Sequence, residues 1–345
     1  MRYLRYFLVI ILLVIAFSLI SSRFASSYHD IPLLFKEAQK KLLWLLPVLA
    51  IVYYLIFGFL SKTILSIAGS KVSFRETAKV GLLGALGFQV APFVGSAILI
   101  YLFYKRLKVP SSRILFLVTT TFILNLFNVF LFFSASILLL KQSFFSFLPQ
   151  REVLTLLLVL LFSFCLSFLL LKNNAKNLIL LLQALTRPIN KISLFSRKKE
   201  LLNQSKIERI INELLRDLNL ISLNRSKSFQ ALGLSLVFYL INISILFFSF
   251  YVFGYEAKPP LLVIGLTLAS ILSILSLFPE APGIMEASLV TVFIGLGFPV
   301  HVSLFAVLLY RLVLYWLAMP FGFLVYLSLN GQAAKSGRDI LNEEN

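Results

Sequence analysis

The chain reads as an all-α integral membrane protein: a polytopic helical bundle of about seven or eight membrane segments, two of them broken re-entrant hairpins in inverted arrangement. Three observations predict this. Of its 345 residues 59% are hydrophobic and 13% charged, and the mean hydropathy is +0.94, whereas a soluble domain is about half apolar and a quarter charged. The charges are also segregated, leaving several uninterrupted apolar stretches of the roughly 20 residues needed to cross about 30 Å of hydrocarbon. Finally, two apolar stretches are interrupted by proline and glycine, at Ala91-Pro92-Phe93-Val94-Gly95 and at Pro279-Glu280-Ala281-Pro282-Gly283.

Taken in order, the first apolar stretch, Leu4 to Ser22, follows Arg2 and Arg5 and ends at Ser21-Ser22-Arg23-Phe24 without a small-x-small cleavage site. It is expected to remain as a span rather than be removed as a signal peptide. A second span covers Leu42 to Leu60, and a glycine-rich segment from Val80 to Tyr104 carries the first break. Further spans run from Ile114 to Leu140, Val153 to Leu171, Ala231 to Phe253 and Leu261 to Phe278. After the second break come a short apolar piece, Ile284 to Phe298, and a last span, Val302 to Leu329. This divides the chain into a first membrane half (1–171), a connector (172–230), a second membrane half (231–330) and a polar tail (331–345).

The connector is the one sizeable hydrophilic stretch. Between Lys172 and Lys227 twelve Lys or Arg face four Asp or Glu, a net of +8, and Ile207, Ile210, Ile211, Leu214 and Leu218 recur at helical spacing. Part of it is therefore an amphipathic helix, either interfacial on anionic lipid or a plain connector packed on the bundle. Basic loops orient a membrane protein with their charge inside. If the connector is cytoplasmic, Lys105, Arg106, Lys108 and Arg113 fall on the same side, and so do Lys62, Lys71, Arg75 and Lys79. Both flanks of Val80–Tyr104 then share one face, which predicts a hairpin of two half-helices. The same reasoning puts both ends of Leu261–Phe298 on the opposite face, at the expense of leaving Lys40 and Lys41 outside. The overall charge of +18 is accounted for by topology and anionic lipid, so no nucleic-acid partner is expected.

Irregular backbone at membrane depth is tolerated only where protein or a water-filled cavity surrounds it, so the two breaks predict a polar interior. The ionisable residues that could sit there are Glu280, Glu286 and Arg311, each costly at that depth unless paired or hydrated. A Glu286–Arg311 pair with Glu280 near the cavity is the economical arrangement. Arg311 then either meets an anionic head group or merely pins the second hairpin to the last helix. A half-helix beginning near Gly283 would add amide donors for an anion.

Other features point to packing. Gly81, Gly84 and Gly87 lack the strand and acidic residue of a dinucleotide loop. Gln89, Asn125 and Asn128 either line the cavity or bond between helices, and Tyr310, Tyr315 and Trp316 pack or anchor. His29 and His301 are isolated, and the single Cys165 excludes an internal disulfide. No metal or cofactor is expected.

At Pro279 to Leu289, followed by Leu309-Tyr310-Arg311-Leu312, the sequence resembles the transmembrane region of lysylphosphatidylglycerol synthase/flippase proteins. Members carry a glycine-rich turn after proline, then a Glu, then Tyr-Arg in the following helix. On that pattern Pro282, Gly283, Glu286, Tyr310 and Arg311 match family positions, and Pro92 and Gly95 followed by Lys105-Arg106 resemble the first-half element. The glycine cluster is thinned here to Gly283 alone, and Ser96 and Ala97 stand where an acidic or polar residue is usual. The resemblance implies a flippase-like protein, without the soluble aminoacyl-transfer domain of the bifunctional synthases, that takes an anionic membrane lipid or a lipid-linked substrate and moves it across the cell membrane. Rival expectations are a membrane enzyme acting on a lipid phosphate or polyprenyl carrier, and a scaffold that transports nothing. Self-association into a homo-oligomer is open on all three.

Overall fold

The computed structural model describes residues 36, 38–90, 94–140, 220, 223–275 and 283–328. Helix α1 (Leu45–Ile67) is prefaced by a 3-10 turn, Lys40–Trp44, and is followed by α2 (Phe74–Val90), α3 (Val94–Arg106) and α4 (Ser111–Leu139). The second set is α5 (Arg225–Val252), α6 (Pro259–Leu275), α7 (Ile284–Gly295) and α8 (Val300–Arg311), the last running through a π-helical turn, Leu312–Trp316, into helix that reaches Ser328.

Four of these helices, Lys40–Ile67, Ser111–Leu139, Arg225–Val252 and Val300–Ser328, are long and apolar enough to cross a membrane. In lipid every backbone polar group must be satisfied within the segment, which leaves helices as the solution for such apolar stretches. On α1 the residues Val48, Ile51, Leu55 and Phe59 are exposed, in one stripe at helical spacing. That stripe would be a solubility defect in water and is the normal surface of a helix facing hydrocarbon. The opposite side buries Leu46, Ala50, Leu60 and Ile64.

The remaining four helices pair off, α2 on α3 and α6 on α7. With 13 residues in α3 and 12 in α7, these reach about 18–20 Å at 1.5 Å per residue, short of the hydrocarbon thickness. The helices on either side of the expected break reach beyond Val80–Tyr104, from Phe74 to Val90 and from Val94 to Arg106. Arg75, Glu76 and Lys79 end the apolar run but not the helix, because an acidic side chain is welcome in the first turn and Glu76 is bonded to Lys79 at 3.1 Å.

Among the described residues each half therefore runs long, short, short, long. Residues 68–73 and 107–110 make the outer connections of the first half, and 253–258 and 296–299 make those of the second, so the two halves match in connection length. The cap chemistry repeats as well. After α1, Ser70 N–H donates to Leu65 and Gly69 N–H to Ser66; after α5, Tyr255 donates to Phe250 and Gly254 to Tyr251. After α3, Val109 donates to Tyr104 and Lys108 to Lys105; after α7, Phe298 donates to Phe293 and Gly297 to Ile294. All four are Schellman caps, which need one residue in the left-handed conformation. Gly69, Gly254 and Gly297 supply it in three, and Lys108, at φ 57°, supplies the fourth. Pro110 and Pro299 then start α4 and α8.

The halves are antiparallel. Gln39 N–H, at the start of the first long helix, donates to Val252 O at the end of α5 (2.8 Å), while Lys227 at the start of α5 reaches Ser66 O near the end of α1. The outer connections of the two halves thus lie at opposite ends of the bundle. Close helix approach depends on small residues. A Cβ on Gly81 would lie 2.9 Å from the Tyr54 ring, and one on Gly322 would collide with the carbonyl oxygen of Leu82. Gly81 of the glycine repeat in α2 therefore serves packing. Asn128 likewise bonds between helices, its Nδ2 donating to Ser235 O at 2.9 Å. The expected spans at Leu4–Ser22 and Val153–Leu171, the amphipathic part of the connector and the polar tail lie outside the described residues.

Candidate functional site

Glu286 and Arg311 meet in the core of the second half. Gly283 is the N-cap of α7 with φ 88°, and Glu286 stands three residues on, in the first turn. From there its Oε2 accepts the Gly283 N–H at 2.7 Å, the reach-back half of a capping box. Its Oε1 accepts from Arg311 Nε at 2.7 Å. One carboxylate therefore holds the start of α7 and clasps the last residue of α8. Of the amide donors that the sequence offers to an anion near Gly283, that of Gly283 itself is taken by Glu286, a carboxylate three residues into the helix. Gly283→Ala should destabilise the fold by about 1–2 kcal/mol through the left-handed backbone alone, because nothing crowds a Cβ there; thermal unfolding in detergent measures it.

Arg311 is 2% exposed and Glu286 7%. A charge in that setting loses several kcal/mol of hydration, and the surroundings return part of it. The Nε–Oε1 bond is charge-assisted, about twice the strength of a neutral one. The guanidinium also lies 4.2 Å from the Tyr315 ring centre, a cation–π contact worth about 2 kcal/mol when desolvated. Nη2 of Arg311, however, is buried and has no hydrogen-bond partner among the described residues. The site thus contains a positive fork with one tine engaged and another unused.

Residues from three helices brace the segment around Arg311. Tyr310 hydroxyl donates to Asn242 Oδ1 of α5 at 2.8 Å, and Tyr54 hydroxyl of α1 donates to the carbonyl of Leu314. Leu314 lies in the π-helical turn that begins immediately after Arg311, where Leu317 N–H reaches back to Leu312 O. A π turn widens the helix, and such turns are frequent at functional positions. Trp316, by contrast, is 43% exposed and faces outward.

Of the residues nominated by sequence, the structure brings Gly283, Glu286, Tyr310 and Arg311 together. Gly95 falls in the first turn of α3, in the other helix pair. Pro92, Glu280 and Pro282 lie outside the described residues. Sequence reasoning missed Tyr54, Asn242 and the π turn, and it treated Tyr315 as packing although its ring carries the guanidinium. Each is an ordinary residue on an apolar helix, and only the fold brings it to Arg311.

A family model described as the lysylphosphatidylglycerol synthase TM region matches residues 6–322. No curated protein matches the chain. The match spans nearly all of the sequence, and the chain belongs to that family.

Proposed function

We propose, from membership of the lysylphosphatidylglycerol synthase transmembrane-region family, that this membrane protein binds an anionic phospholipid or lipid-linked substrate and moves it between leaflets of the cell membrane. The observation that carries the reading is the buried Arg311 with Nη2 unpartnered among the described residues. A buried ion pair adds little net stability compared with apolar side chains of the same volume, so folding alone is a poor reason to keep it. Ionisable groups inside the membrane mark substrate and ion pathways.

In this structure the guanidinium is enclosed, which is the state expected between loading events. A head-group phosphate would compete with Glu286 for Arg311, and a carboxylate released from Arg311 would still hold Gly283. The two short-helix pairs, read as re-entrant hairpins entering from opposite faces, would let each face open in turn onto the same arginine. The chain's own residues thus supply recognition and a latch.

The test is movement of a fluorescent anionic phospholipid in proteoliposomes, with a zwitterionic lipid as comparison. Arg311→Lys keeps the charge and loses the planar fork. It is expected to slow anionic lipid movement about 10- to 100-fold, the equivalent of one hydrogen bond to a charged group, with insertion and monodispersity retained. A folded wild type that moves no lipid would hand the reading to a lipid-phosphate enzyme or a scaffold. Wild-type rates in Arg311→Lys would leave transport standing and remove Arg311 from it.

A further inference from the structure

At the opposite end of the bundle from loops 253–258 and 296–299, the first-half connections 68–73 and 107–110 border an open cleft of about 300 Å³ lined by Ser70, Lys71, Ser73, Glu76, Lys108 and Arg113, among others. Its volume has room for a phosphate group with several waters, a water's share being about 30 Å³. Arg113 Nη1 donates to Ser70 Oγ at 3.2 Å, and Ser70 is 8% exposed, which leaves that hydroxyl's own hydrogen for another acceptor. Glu76 is already bonded to Lys79. Lys71 and Lys108 are exposed and carry no side-chain ion pair or hydrogen bond among the described residues.

Retention of positive charge on one face explains basic loops in general, but not this placement. Lys108 holds the left-handed position of its Schellman cap, a conformation that favours glycine. The corresponding cap in the second half uses Gly297. A topology signal needs charge only somewhere in the loop, and Lys105 and Arg106 already provide it. A lysine at the strained position itself is a local rule broken, the usual mark of a compensating function. The two corners also differ in filling. In the second half Tyr255 and Phe298 pack at 5.0 Å, with Phe298 against Phe250 and Phe293. In the first half Val109 replaces Phe298 in the matched loop, and the corner is open and cationic.

We propose that this corner is a binding site for a phosphate monoester dianion, held by Lys71, Lys108 and Arg113 with Ser70 as an additional donor, at the membrane face of the first half. The site is separate from the Arg311 centre, and its occupancy does not depend on lipid movement.

The experiment is native mass spectrometry of the full-length chain released from vesicles of phosphatidylcholine with phosphatidic acid. Wild type is expected to retain phosphatidic acid preferentially, and the triple variant Lys71→Gln, Lys108→Gln, Arg113→Gln to lose at least about tenfold of that retention. A control triple on the same face, Lys62→Gln, Arg75→Gln, Arg225→Gln, removes equal charge outside the residues lining the cleft and is expected to keep it. Lys108→Gly separates backbone from charge: its melting temperature should rise while retention falls. Competition by millimolar inorganic phosphate would assign the phosphate alone as sufficient, and its failure would assign a lipid-borne phosphate. Equal loss in both triples, no preference over phosphatidylcholine, or unchanged retention in Lys108→Gly would overturn the proposal.

Discussion

Arg311→Met is expected to lower folding stability by about 3–5 kcal/mol, the usual cost of removing one partner from a buried ion pair. The cause lies in what remains. Glu286 would keep the Gly283 amide and lose its only described cation, leaving a carboxylate 7% exposed. Methionine also surrenders the contact with Tyr315. The double variant Glu286→Gln, Arg311→Met should recover much of the loss, because a neutral amide can still accept from Gly283 and no charge is stranded. A double-mutant cycle on thermal or denaturant unfolding reads the coupling directly. Independence of the two substitutions would show that Glu286 is not held by Arg311. Destabilisation on this scale is also the reason that the transport comparison rests on Arg311→Lys.

Gly322→Val carries the second large effect, about 3 kcal/mol, at the upper end of typical overpacking costs. The atom in the way is the backbone carbonyl oxygen of Leu82, with Leu86 Cβ at 3.0 Å behind it. A side-chain end can rotate aside, whereas a helix backbone has to move as a body. Val325 and Tyr326, which pack with the first-half core, would be dragged away with it. The measurement is the melting temperature in detergent, with Gly233→Val as the comparison, since a Cβ there meets nothing within 4 Å. Equal shifts in the two variants would mean that the helix contact at Gly322 is looser than the structure has it.

The long helices were legible because lipid imposes a simple rule: apolar residues all round, for a fixed length. Hydropathy located Leu42–Leu60, and the structure extends that helix to Ile67 because Lys62 lies at its exposed edge without ending the backbone ladder. The second-half site was legible for a related reason: a glutamate and an arginine in apolar surroundings stand out against their neighbours. Tyr54, Asn242 and Tyr315 carry no such contrast. Tyr54 and Leu314 lie 260 positions apart, and no local pattern encodes that meeting. Lys108 was read only as topology charge, because its backbone angle is invisible in a sequence where the other left-handed caps are glycines. The π turn had one sequence signal that went unread: Pro320 has no N–H for the Trp316 carbonyl, the last of the turn, and its ring crowds it.

That turn has a consequence for the whole last span. Before it, Val302, Val307 and Tyr310 belong to the second-half core; beyond it, Val325 and Tyr326 belong to the first. One extra residue in a helix advances the screw by about 100°. A single rod thus presents two differently phased faces, one to α5 and α7 and the other to α2. The phase slip falls directly after Arg311, so any rewinding of the turn into regular α-helix would twist one core against the other with the arginine at the pivot.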